Sequence, residues 1–479
     1  MTEHFPLLIP GAQPSNEKLD VVAPFDNALI ATVDTADSST VELALSTAYS
    51  LYKNRDQWLK PDQRIEVLQK TADIMTTRFD FLALEAAREG GKPLVDSKVE
   101  VARAIDGIKN CIEVLRTEHG TEIPMDKNAA SANRLAMTRL EPIGVVVAVS
   151  AFNHPLNLAV HQIGPAIAAG CPVIIKPAED TPLSCLRLVS IMHEAGLPEA
   201  WCQALCISDH TIATKLVTDS RVGFFSFIGS AAVGWMLRSK LAPGTRCALE
   251  HGGVAPVIVE ADADLDDALP LLAKGGFYHA GQVCVSVQRI FAHHSIAEEV
   301  ANRLADMAKQ LNVGDPTLIE TEIGPLIRPR ETNRIHQWVE EAVSKGSTLL
   351  CGGNKISDSC YTPTVLLNPP DDAIVSQKEI FGPVVCVYSY NAIDDALVRA
   401  NALPVSFQAS VFTKNIDTAL YAYKKLEASA VMVNDHTAFR VDWMPFAGLQ
   451  QSGLGVGGIP HSFRDMQVEK MLVIKSKAL

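Results

Sequence analysis

Short, almost wholly apolar runs alternate with amphipathic runs from residue 141 onward, and this alternation restricts the fold more than any other feature. Three runs of strand length are rich in valine, isoleucine or phenylalanine: 144–150, 172–176 and 221–227. Three runs of helical length follow them: 156–169, 182–195 and 231–240. Strands that are apolar on both faces and separated by helices are typical of a parallel sheet covered on both sides. The sequence therefore predicts an α/β fold that contains a nucleotide-domain pattern.

The remaining segments predict further units around this sheet. Helical signals dominate the first third, where three helices are predicted: 39–52, 61–88 and 93–118. A second series of strands and helices begins near Gly252 and continues to Val433. Segments 121–140 and 469–477 fit neither series, and the apolar C-terminal run has the character of an edge strand that pairs across subunits. A chain of 479 residues is long enough for two large domains and a smaller appendage.

Composition and charge exclude several classes of protein. Hydrophobic residues make up 47% of the chain and charged residues 20%, which is typical of a globular protein. The formal net charge of −13 disfavours nucleic acid as a partner. No window reaches the about 18 apolar residues of a membrane span, and the N-terminus has no leader pattern, so a cytoplasmic protein is expected.

The cysteine and histidine patterns favour reduced thiols and no bound metal. Ten cysteines occur without any Cys-x-x-Cys pair, so a disulfide framework is not expected. His279 and Cys284 lack carboxylate or second-thiol partners at ligand spacing.

Cys284 is the strongest candidate for a reacting group. It follows the small residues Ala280 and Gly281, whereas a cysteine taken at random is more often a small buried hydrophobe. The amide of Asn153 could stabilise an oxyanion, and the carboxylate of Glu250 could act as a general base. Together, these three residues predict nucleophilic catalysis in a cleft between the two α/β units.

Two further features are compatible with a nucleotide. Gly229-Ser230 lies where a strand meets a helix N-terminus, which suits a pyrophosphate, although Ser230 could be an ordinary helix cap. Lys176 and Glu179 end another strand and could bind a ribose diol, or form a solvated charge pair. Residues 453–458 match the letters G-x-G-x-x-G, but no predicted strand precedes them and Pro460 is poor for opening a helix. A flexible loop near the cleft is therefore expected there.

Six motifs occur in a single order along the chain: Phe152-Asn153-His154-Pro155, Lys176-Pro177-Ala178-Glu179, Phe227-Ile228-Gly229-Ser230, Leu249-Glu250-His251-Gly252-Gly253, Gly281-Gln282-Val283-Cys284 and Glu379-Ile380-Phe381-Gly382-Pro383. In this order and spacing the chain resembles the aldehyde dehydrogenase superfamily, in its NAD(P)-dependent, hydrolytic, non-acylating form, from end to end. The resemblance implies a Rossmann-like dinucleotide-binding domain, a second α/β catalytic domain and a small β oligomerisation arm. It implies the following boundaries: 1–120 with 141–250 for NAD binding, 251–445 for catalysis, and 121–140 with 460–479 for the arm.

The same resemblance implies roles for individual residues. Cys284 matches the nucleophile, Asn153 the oxyanion donor and Glu250 the general base, so an aldehyde would become an acid through a thiohemiacetal and a thioester. The implied cofactor contacts are as follows: Lys176 and Glu179 for the adenosine ribose, Gly229 and Ser230 for the pyrophosphate, Glu379 for the nicotinamide ribose, and Phe381 near the nicotinamide. NAD is expected rather than NADP, because Glu179 would repel a 2′-phosphate. A homodimer or homotetramer is expected.

Substrate clues point to a small, polar or anionic aldehyde, of the lactaldehyde or semialdehyde kind. His154, Asn157 and His161 share one helix face with the Asn153 end. His154, His161 and Arg440 stand where relatives with apolar substrates often carry aromatic residues, and Phe446 completes the expected substrate set. These polar groups could instead bond to one another or face water.

Two other functions stay open at this stage. The first is an acylating relative that releases the thioester to coenzyme A, and the second is a non-catalytic oligomeric protein on the same fold. The chain also departs from the usual family pattern at His251, Gln450, Val456 and Gly457, and the sequence offers no account of His251.

Overall fold

A computed structural model describes residues 3–15 and 17–479, and its N-terminal part combines a small sheet with four long helices. The strands are β1 (Glu3–Phe5), β2 (Lys18–Val22) and β3 (Leu29–Asp34), in the order β1-β3-β2. The helices are α1 (Ser38–Lys53), α2 (Pro61–Thr77), α3 (Phe79–Gly90) and α4 (Leu94–Thr117). The carboxylate of Asp37 caps α1 by accepting from the Thr40 N–H at 2.8 Å.

One helix expected over 61–88 is in fact two, so that prediction is wrong. The break falls at Arg78, whose backbone (φ −105°, ψ 18°) is not helical. Just before it, the hydroxyls of Thr76 and Thr77 donate to the carbonyls of Ala72 and Ile74. Such side-chain bonds to the backbone compete with helix continuation.

A six-stranded sheet forms the first large core. Its elements from residue 145 to 250 are β6 (Val145–Val149), α5 (Pro155–Ala169), β7 (Val173–Lys176), α6 (Leu183–Glu194), β8 (Cys202–Ala204), α7 (His210–Thr218), β9 (Val222–Ile228), α8 (Ala231–Arg238) and β10 (Arg246–Glu250). Val146 and Ala148 pack into one hydrophobic cluster, whereas Val145 and Val147 pack into another on the opposite face. The sheet is therefore buried on both sides, as its continuous apolar strands predicted.

A seven-stranded sheet forms the second core. Its elements are β11 (Pro256–Val259), α9 (Leu265–Phe277), β12 (Arg289–His293), α10 (Ala297–Gln310), α11 (Pro329–Ser344), β13 (Thr348–Cys351), β14 (Thr364–Leu367), α12 (Ile374–Gln377), β15 (Val384–Tyr390), α13 (Ile393–Ala400), β17 (Gln408–Phe412), α14 (Ile416–Lys425) and β18 (Ala430–Val433), with the short β16 (Val405–Ser406) beside it. The strand order is β13-β14-β15-β12-β11-β17-β18, and every pair except β13 with β14 is parallel.

The last segment returns to the first sheet and then leaves both cores. Its elements are β19 (Leu449–Gln450), β20 (Gly453–Leu454), α15 (Ile459–Asp465) and β21 (Gln467–Lys475). Strand β20 pairs with β10, which gives the first sheet the order β20-β10-β9-β6-β7-β8. Gly453 and Leu454 are therefore strand residues and not part of a loop, whereas 455–458 connect β20 to α15 outside any helix or strand. Pro460 also stands in the first turn of α15, a position that needs no backbone N–H.

The segments that fit neither core make a third sheet. Strand β5 (Arg134–Pro142) lies between β21 and the short β4 (Glu122–Ile123), and β5 and β21 pair over their full nine residues. Side chains of β21 from Met471 to Ile474 are 43–58% exposed. The predicted fold class, with two α/β units and a small β arm, is confirmed, whereas the residue boundaries of the domains stay a prediction.

Two global features complete the fold. All ten cysteines are free thiols. Within residues 3–15 and 17–479, no helix combines the length and the apolar character needed to cross a membrane.

Candidate active site

One cavity of about 700 Å³ lies where the carboxyl ends of the first sheet face the second core. Parallel α/β sheets bind their ligands at this edge. Every site residue expected from the sequence lines the cavity, with the exception of His161. The cavity thus brings together side chains from widely separated parts of the chain.

The loop before Cys284 has an unusual backbone. His279 (φ 48°), Ala280 (φ 54°) and Gly281 (φ 70°) are successive residues in the left-handed region. A Cβ at Gly281 would lie 2.1 Å from the carbonyl oxygen of Gly382, so only glycine fits there. Backbone strain of this kind persists only where the surroundings enforce it, and here it aims Cys284 at the cavity.

Gln282 holds this loop in place. Its Oε1 accepts from the Ile327 N–H at 3.0 Å, and its Nε2 donates to the Pro325 carbonyl at 3.2 Å. The side chain is 1% exposed. The position of the neighbouring thiol therefore depends on the segment 325–327 of the second core.

Cys284 is half-buried and faces the cavity. Burial raises the pKa of its thiol to about 12, and the Arg440 guanidinium acts in the opposite direction. A thiol with this pKa is almost entirely protonated at neutral pH, so attack needs a base or a change in its surroundings. The sulfur is accessible from the cavity, as a nucleophile must be.

Asn153 lies between β6 and α5, next to the nucleophile loop. Its Nδ2 donates to the carbonyl of Gln282 at 2.9 Å. An amide nitrogen has a second N–H, which is free for an oxyanion in the cavity. The first turn of α5 is fixed by the Glu100 carboxylate, which accepts from the N–H groups of Leu156 and Asn157 at 3.0 Å each.

Glu250 ends β10 on the other side of the thiol. Burial raises the pKa of its carboxyl, and Arg440 opposes this shift. A raised pKa makes the carboxylate a stronger base near neutral pH. A Cβ at Gly457 would lie 2.0 Å from Oε1 of Glu250, so the glycine leaves room for this carboxylate.

The opposite end of the cavity suits a dinucleotide. Lys176 Nζ lies 3.2 Å from Oε1 of Glu179. Ser230 caps α8 without making a side-chain cap bond, which leaves its hydroxyl and the helix N-terminus available to a phosphate. Glu379 has a buried Oε1 without a hydrogen-bond partner, and burial raises its pKa to about 8. An orphan acceptor of this kind fits a ribose hydroxyl.

The structure accounts for His251, which the sequence left unexplained. Its Nδ1 lies 2.8 Å from the Gly229 carbonyl, and its ring packs between Phe227 and Trp235 with centroid distances of 5.7 and 5.9 Å. The Gly229 N–H also donates to the Glu250 carbonyl at 3.0 Å. His251 therefore ties the turn before α8 to the strand end that carries Glu250.

The substrate end of the cavity is cationic. The Arg440 guanidinium stacks on Phe446, 3.6 Å from the ring centroid, and one of its nitrogens lies 3.3 Å from Nδ1 of His161. Burial lowers the pKa of Arg440, but a guanidinium stays charged at neutral pH. Among the residues that the structure describes, no carboxylate makes a salt bridge to Arg440.

His161 lies behind the wall and not on it. Its Nε2 is 2.7 Å from Asp442, and burial lowers its pKa to about 4, so the ring is neutral at pH 7. Asp442 also accepts two bonds from Arg103, at 2.6 and 3.1 Å. The expectation that His161 contacts the substrate is therefore revised, because its ring supports Arg440 from behind.

His154 does line the cavity, close to Tyr278 and His279 at centroid distances of 5.9 and 6.1 Å. Burial lowers its pKa well below the ordinary value, so it offers a neutral imidazole. Asn157 lies on the same wall.

Sequence reasoning missed several charged residues of the cavity: Asp96, Arg103, Asp180, Lys274 and Arg328. Lys274 pairs with Asp96 at 2.8 Å at the outer rim. Four of these residues stand in a helix or loop without a motif around them, whereas Asp180 directly follows the motif that ends at Glu179.

The fold and the cavity define a dinucleotide-binding α/β enzyme with an accessible cysteine thiol. The sequence profile of the aldehyde dehydrogenase family matches residues 12–472. A 3-sulfolactaldehyde dehydrogenase from Priestia megaterium is 38% identical over 458 residues, which cover 96% of this chain and 95% of the relative.

Two solved structures are similar to this chain over nearly its whole length. Aldehyde dehydrogenase 21 from Physcomitrella patens, in complex with the reaction product succinate, has a TM-score of 0.94 and 34% identity, and the match covers 99% of each chain. The glyceraldehyde-3-phosphate dehydrogenase GapN from Methanocaldococcus jannaschii, complexed with NADP, has a TM-score of 0.91 and 33% identity, with 96% of this chain and 100% of that chain covered.

This chain belongs to the aldehyde dehydrogenase family, which confirms the resemblance found in the sequence. It is an oxidoreductase that acts on an aldehyde with a nicotinamide dinucleotide as the acceptor.

Proposed function

We propose that this enzyme oxidises a small anionic aldehyde to its acid, with NAD as the preferred acceptor. The observation that carries the proposal is the guanidinium of Arg440, which lines the cavity beside the thiol and has no salt-bridged carboxylate among the described residues. A charge that is partly withdrawn from water without a partner is costly. An anionic group of the substrate would compensate it through charge-assisted hydrogen bonds.

The surrounding groups support the same choice. Arg103 also lines the cavity, but Asp442 already neutralises it through two bonds. Among the described residues, Arg440 therefore has no carboxylate bonded to it, and the Glu250 carboxylate acts on it electrostatically without a salt bridge. His154 and Asn157 add neutral hydrogen-bonding groups on the same wall, which suits a hydroxylated carbon chain.

Two of the similar proteins support an anionic substrate by their names. One acts on 3-sulfolactaldehyde, and the other was solved with succinate as the reaction product. Both molecules carry an anionic group a few bonds from the reacting carbon. The sulfonate and the carboxylate match what a single guanidinium without a salt-bridge partner can bind.

In the proposed mechanism, the Cys284 thiol loses its proton to solvent in the cavity, and the resulting thiolate adds to the aldehyde carbon. The oxyanion that forms accepts from the free N–H of Asn153 and from the Cys284 backbone N–H. A dinucleotide held by Lys176, Ser230 and Glu379 would supply the acceptor for the hydride that the thiohemiacetal carbon loses, and that loss would leave a Cys284 thioester.

Hydrolysis of the thioester completes the cycle. Glu250 removes a proton from water, the resulting hydroxide adds to the thioester carbonyl, and the C–S bond breaks. The products are the carboxylate and the regenerated thiol. Because this step needs a hydrolytic base, Glu250 favours water over coenzyme A as the acyl acceptor.

The third sheet and the cysteines bear on the assembly and the environment of the enzyme. The half-exposed apolar side chains of β21 support self-association through the third sheet, in a homodimer or homotetramer. Free thiols at all ten cysteines are compatible with a reducing compartment such as the cytoplasm.

The test is an NADH-formation assay with succinic semialdehyde, 3-sulfolactaldehyde, lactaldehyde and benzaldehyde, each with NAD or NADP and with or without coenzyme A. We expect the highest kcat/KM for the two anionic aldehydes with NAD, no dependence on coenzyme A, and no turnover in Cys284→Ser. A preference for benzaldehyde would overturn the anionic assignment. Strict dependence on coenzyme A would overturn hydrolysis.

A further inference from the structure

A second arginine lines the cavity at its cofactor end, and it is already paired. Arg328 donates from Nε to Oδ1 of Asp180 at 2.7 Å, and its second nitrogen lies 2.7 Å from Oδ2. Both carboxylate oxygens are thus engaged by the two-pronged geometry that arginine also uses for phosphate.

This ion pair lies beside the residues expected to bind the adenosine ribose. Asp180 directly follows Glu179, and Glu179 acts electrostatically on Arg328. Lys176, Glu179, Asp180 and Arg328 all line the same cavity. Their side chains are between 10% and 35% exposed, so a bound ligand can reach them.

The pair also joins the two halves of the cleft. Asp180 follows β7 of the first sheet, whereas Arg328 is the N-cap residue of α11 beside the second sheet. Neither residue belongs to a motif that the sequence analysis singled out.

The charge balance at this end determines which dinucleotide fits. Two cations, Lys176 and Arg328, face two carboxylates, Glu179 and Asp180, so the formal charge of the four side chains sums to zero. A neutral ribose diol suits such a balance, whereas a doubly charged 2′-phosphate would find both cations already paired with carboxylates. If Asp180 lost its charge, Arg328 would become free for that phosphate.

We propose that Asp180 is a specificity-determining residue which, by occupying Arg328, keeps that guanidinium from the 2′-phosphate of NADP. This inference rests on the proposed use of NAD. It predicts that the enzyme contains a latent NADP site whose cation is present but engaged.

The test measures the dissociation constants of NAD, NADP, 5′-AMP and 2′-AMP by titration calorimetry, together with kcat/KM for both dinucleotides. In Asp180→Asn, which keeps the side-chain size, we expect the affinity for NADP relative to NAD to rise about tenfold, as one charge-assisted contact allows. The affinity for 2′-AMP relative to 5′-AMP should rise in parallel. Asp180→Ala serves as a second variant with the same expected direction.

Arg328→Gln should shift the ratio in the opposite direction, because the unpaired Asp180 would repel the 2′-phosphate. We expect a several-fold fall in relative NADP affinity. In the double variant Asp180→Asn with Arg328→Gln, the tenfold gain should disappear. The matched control is Arg330→Gln, which removes a charge from the same helix outside the cavity and should leave both ratios unchanged.

Three results would overturn the inference: unchanged ratios in both Asp180 variants, a gain that persists in the double variant, or a rise in NADP affinity in Arg328→Gln. A wild-type enzyme that binds neither dinucleotide and forms no NADH would instead contradict the proposed function. Binding of NAD with an unmoved ratio contradicts only the role of Asp180.

Discussion

The two ends of the cavity differ in whether their cations are paired with carboxylates. At the cofactor end, Lys176 pairs with Glu179 and Arg328 pairs with Asp180. At the substrate end, Arg440 has no such pair, although Asp442 lies close enough to bond with Arg103 and His161. The difference indicates which ligand groups are neutral and which are charged. A balanced site suits a ribose diol, and a site with a cation that lacks a salt-bridge partner suits an anion.

Glu250 stands between the two ends, and its substitution should have the largest effect. In Glu250→Gln, the first turnover should still release NADH, because hydride loss and thioester formation precede the step in which Glu250 activates water. Steady-state turnover should then fall by about 10²–10⁴-fold. A rapid-quench or stopped-flow measurement of the NADH burst separates the two phases, and undiminished steady turnover would contradict the role of Glu250.

The same variant gives a prediction for pH. Burial raises the pKa of Glu250 above the ordinary value of 4.5, and a protonated carboxyl cannot act as a base. The rate of thioester hydrolysis should therefore fall as the pH falls through this raised pKa. The acid limb of the kcat profile should be absent in Glu250→Gln.

Asn153→Ala should lower kcat while leaving the binding of NAD nearly unchanged. The variant loses one oxyanion donor, for which a fall in kcat of about 10²–10³-fold is typical. We expect NAD affinity to stay within about twofold of wild type, because Asn153 donates to the nucleophile loop and not to the cofactor end. Equal losses in NAD affinity and in kcat would indicate collapse of the loop instead.

Arg440→Met directly tests the role of this cation in binding the substrate. We expect kcat/KM for succinic semialdehyde to fall about 10²-fold, since removal of one partner of a desolvated charge pair costs roughly 2–5 kcal/mol. Arg440 also lowers the pKa of Cys284 and Glu250, so lactaldehyde serves as the neutral reference. A loss of the same size with lactaldehyde would contradict a substrate-anion contact.

Lys274→Met is the matched control at the outer rim and should have the smallest effect. The Lys274 side chain is 56% exposed and is already paired with Asp96. Because the Lys274 side chain is largely solvated, water screens its attraction for an anion, so kcat/KM for the anionic aldehyde should change by less than about fivefold. A larger loss than in Arg440→Met would place the anion at the rim.

The features that could be predicted from the sequence are those encoded over a few neighbouring residues. The apolar run of β6, the proline at the start of α5 and the Gly281-Cys284 loop each carry a local signal. Periodicity and turn chemistry therefore predicted both α/β units, and motif order predicted the family.

The features that could not be predicted depend on contacts between distant residues. Arg103 meets Asp442 across 339 positions, and Arg328 meets Asp180 across 148. None of these four residues has a local sequence pattern that predicts its partner. The end of α2 at Arg78 was missed because the helical pattern continues across it. The small N-terminal sheet was missed because short strands give weak periodicity signals.

The attachment of Gln282 to residues 325–327 also links the nucleophile loop to the cofactor end of the cavity. Arg328, the next residue along the chain, meets Asp180 at the far side of the cleft. The hydrogen bond that holds Gln282 and the ion pair that holds Asp180 are thus made by adjacent residues of one backbone segment. Two neighbouring residues, Ile327 and Arg328, therefore anchor both the nucleophile loop and the loop after β7, so one short stretch of backbone joins the two ends of the cavity.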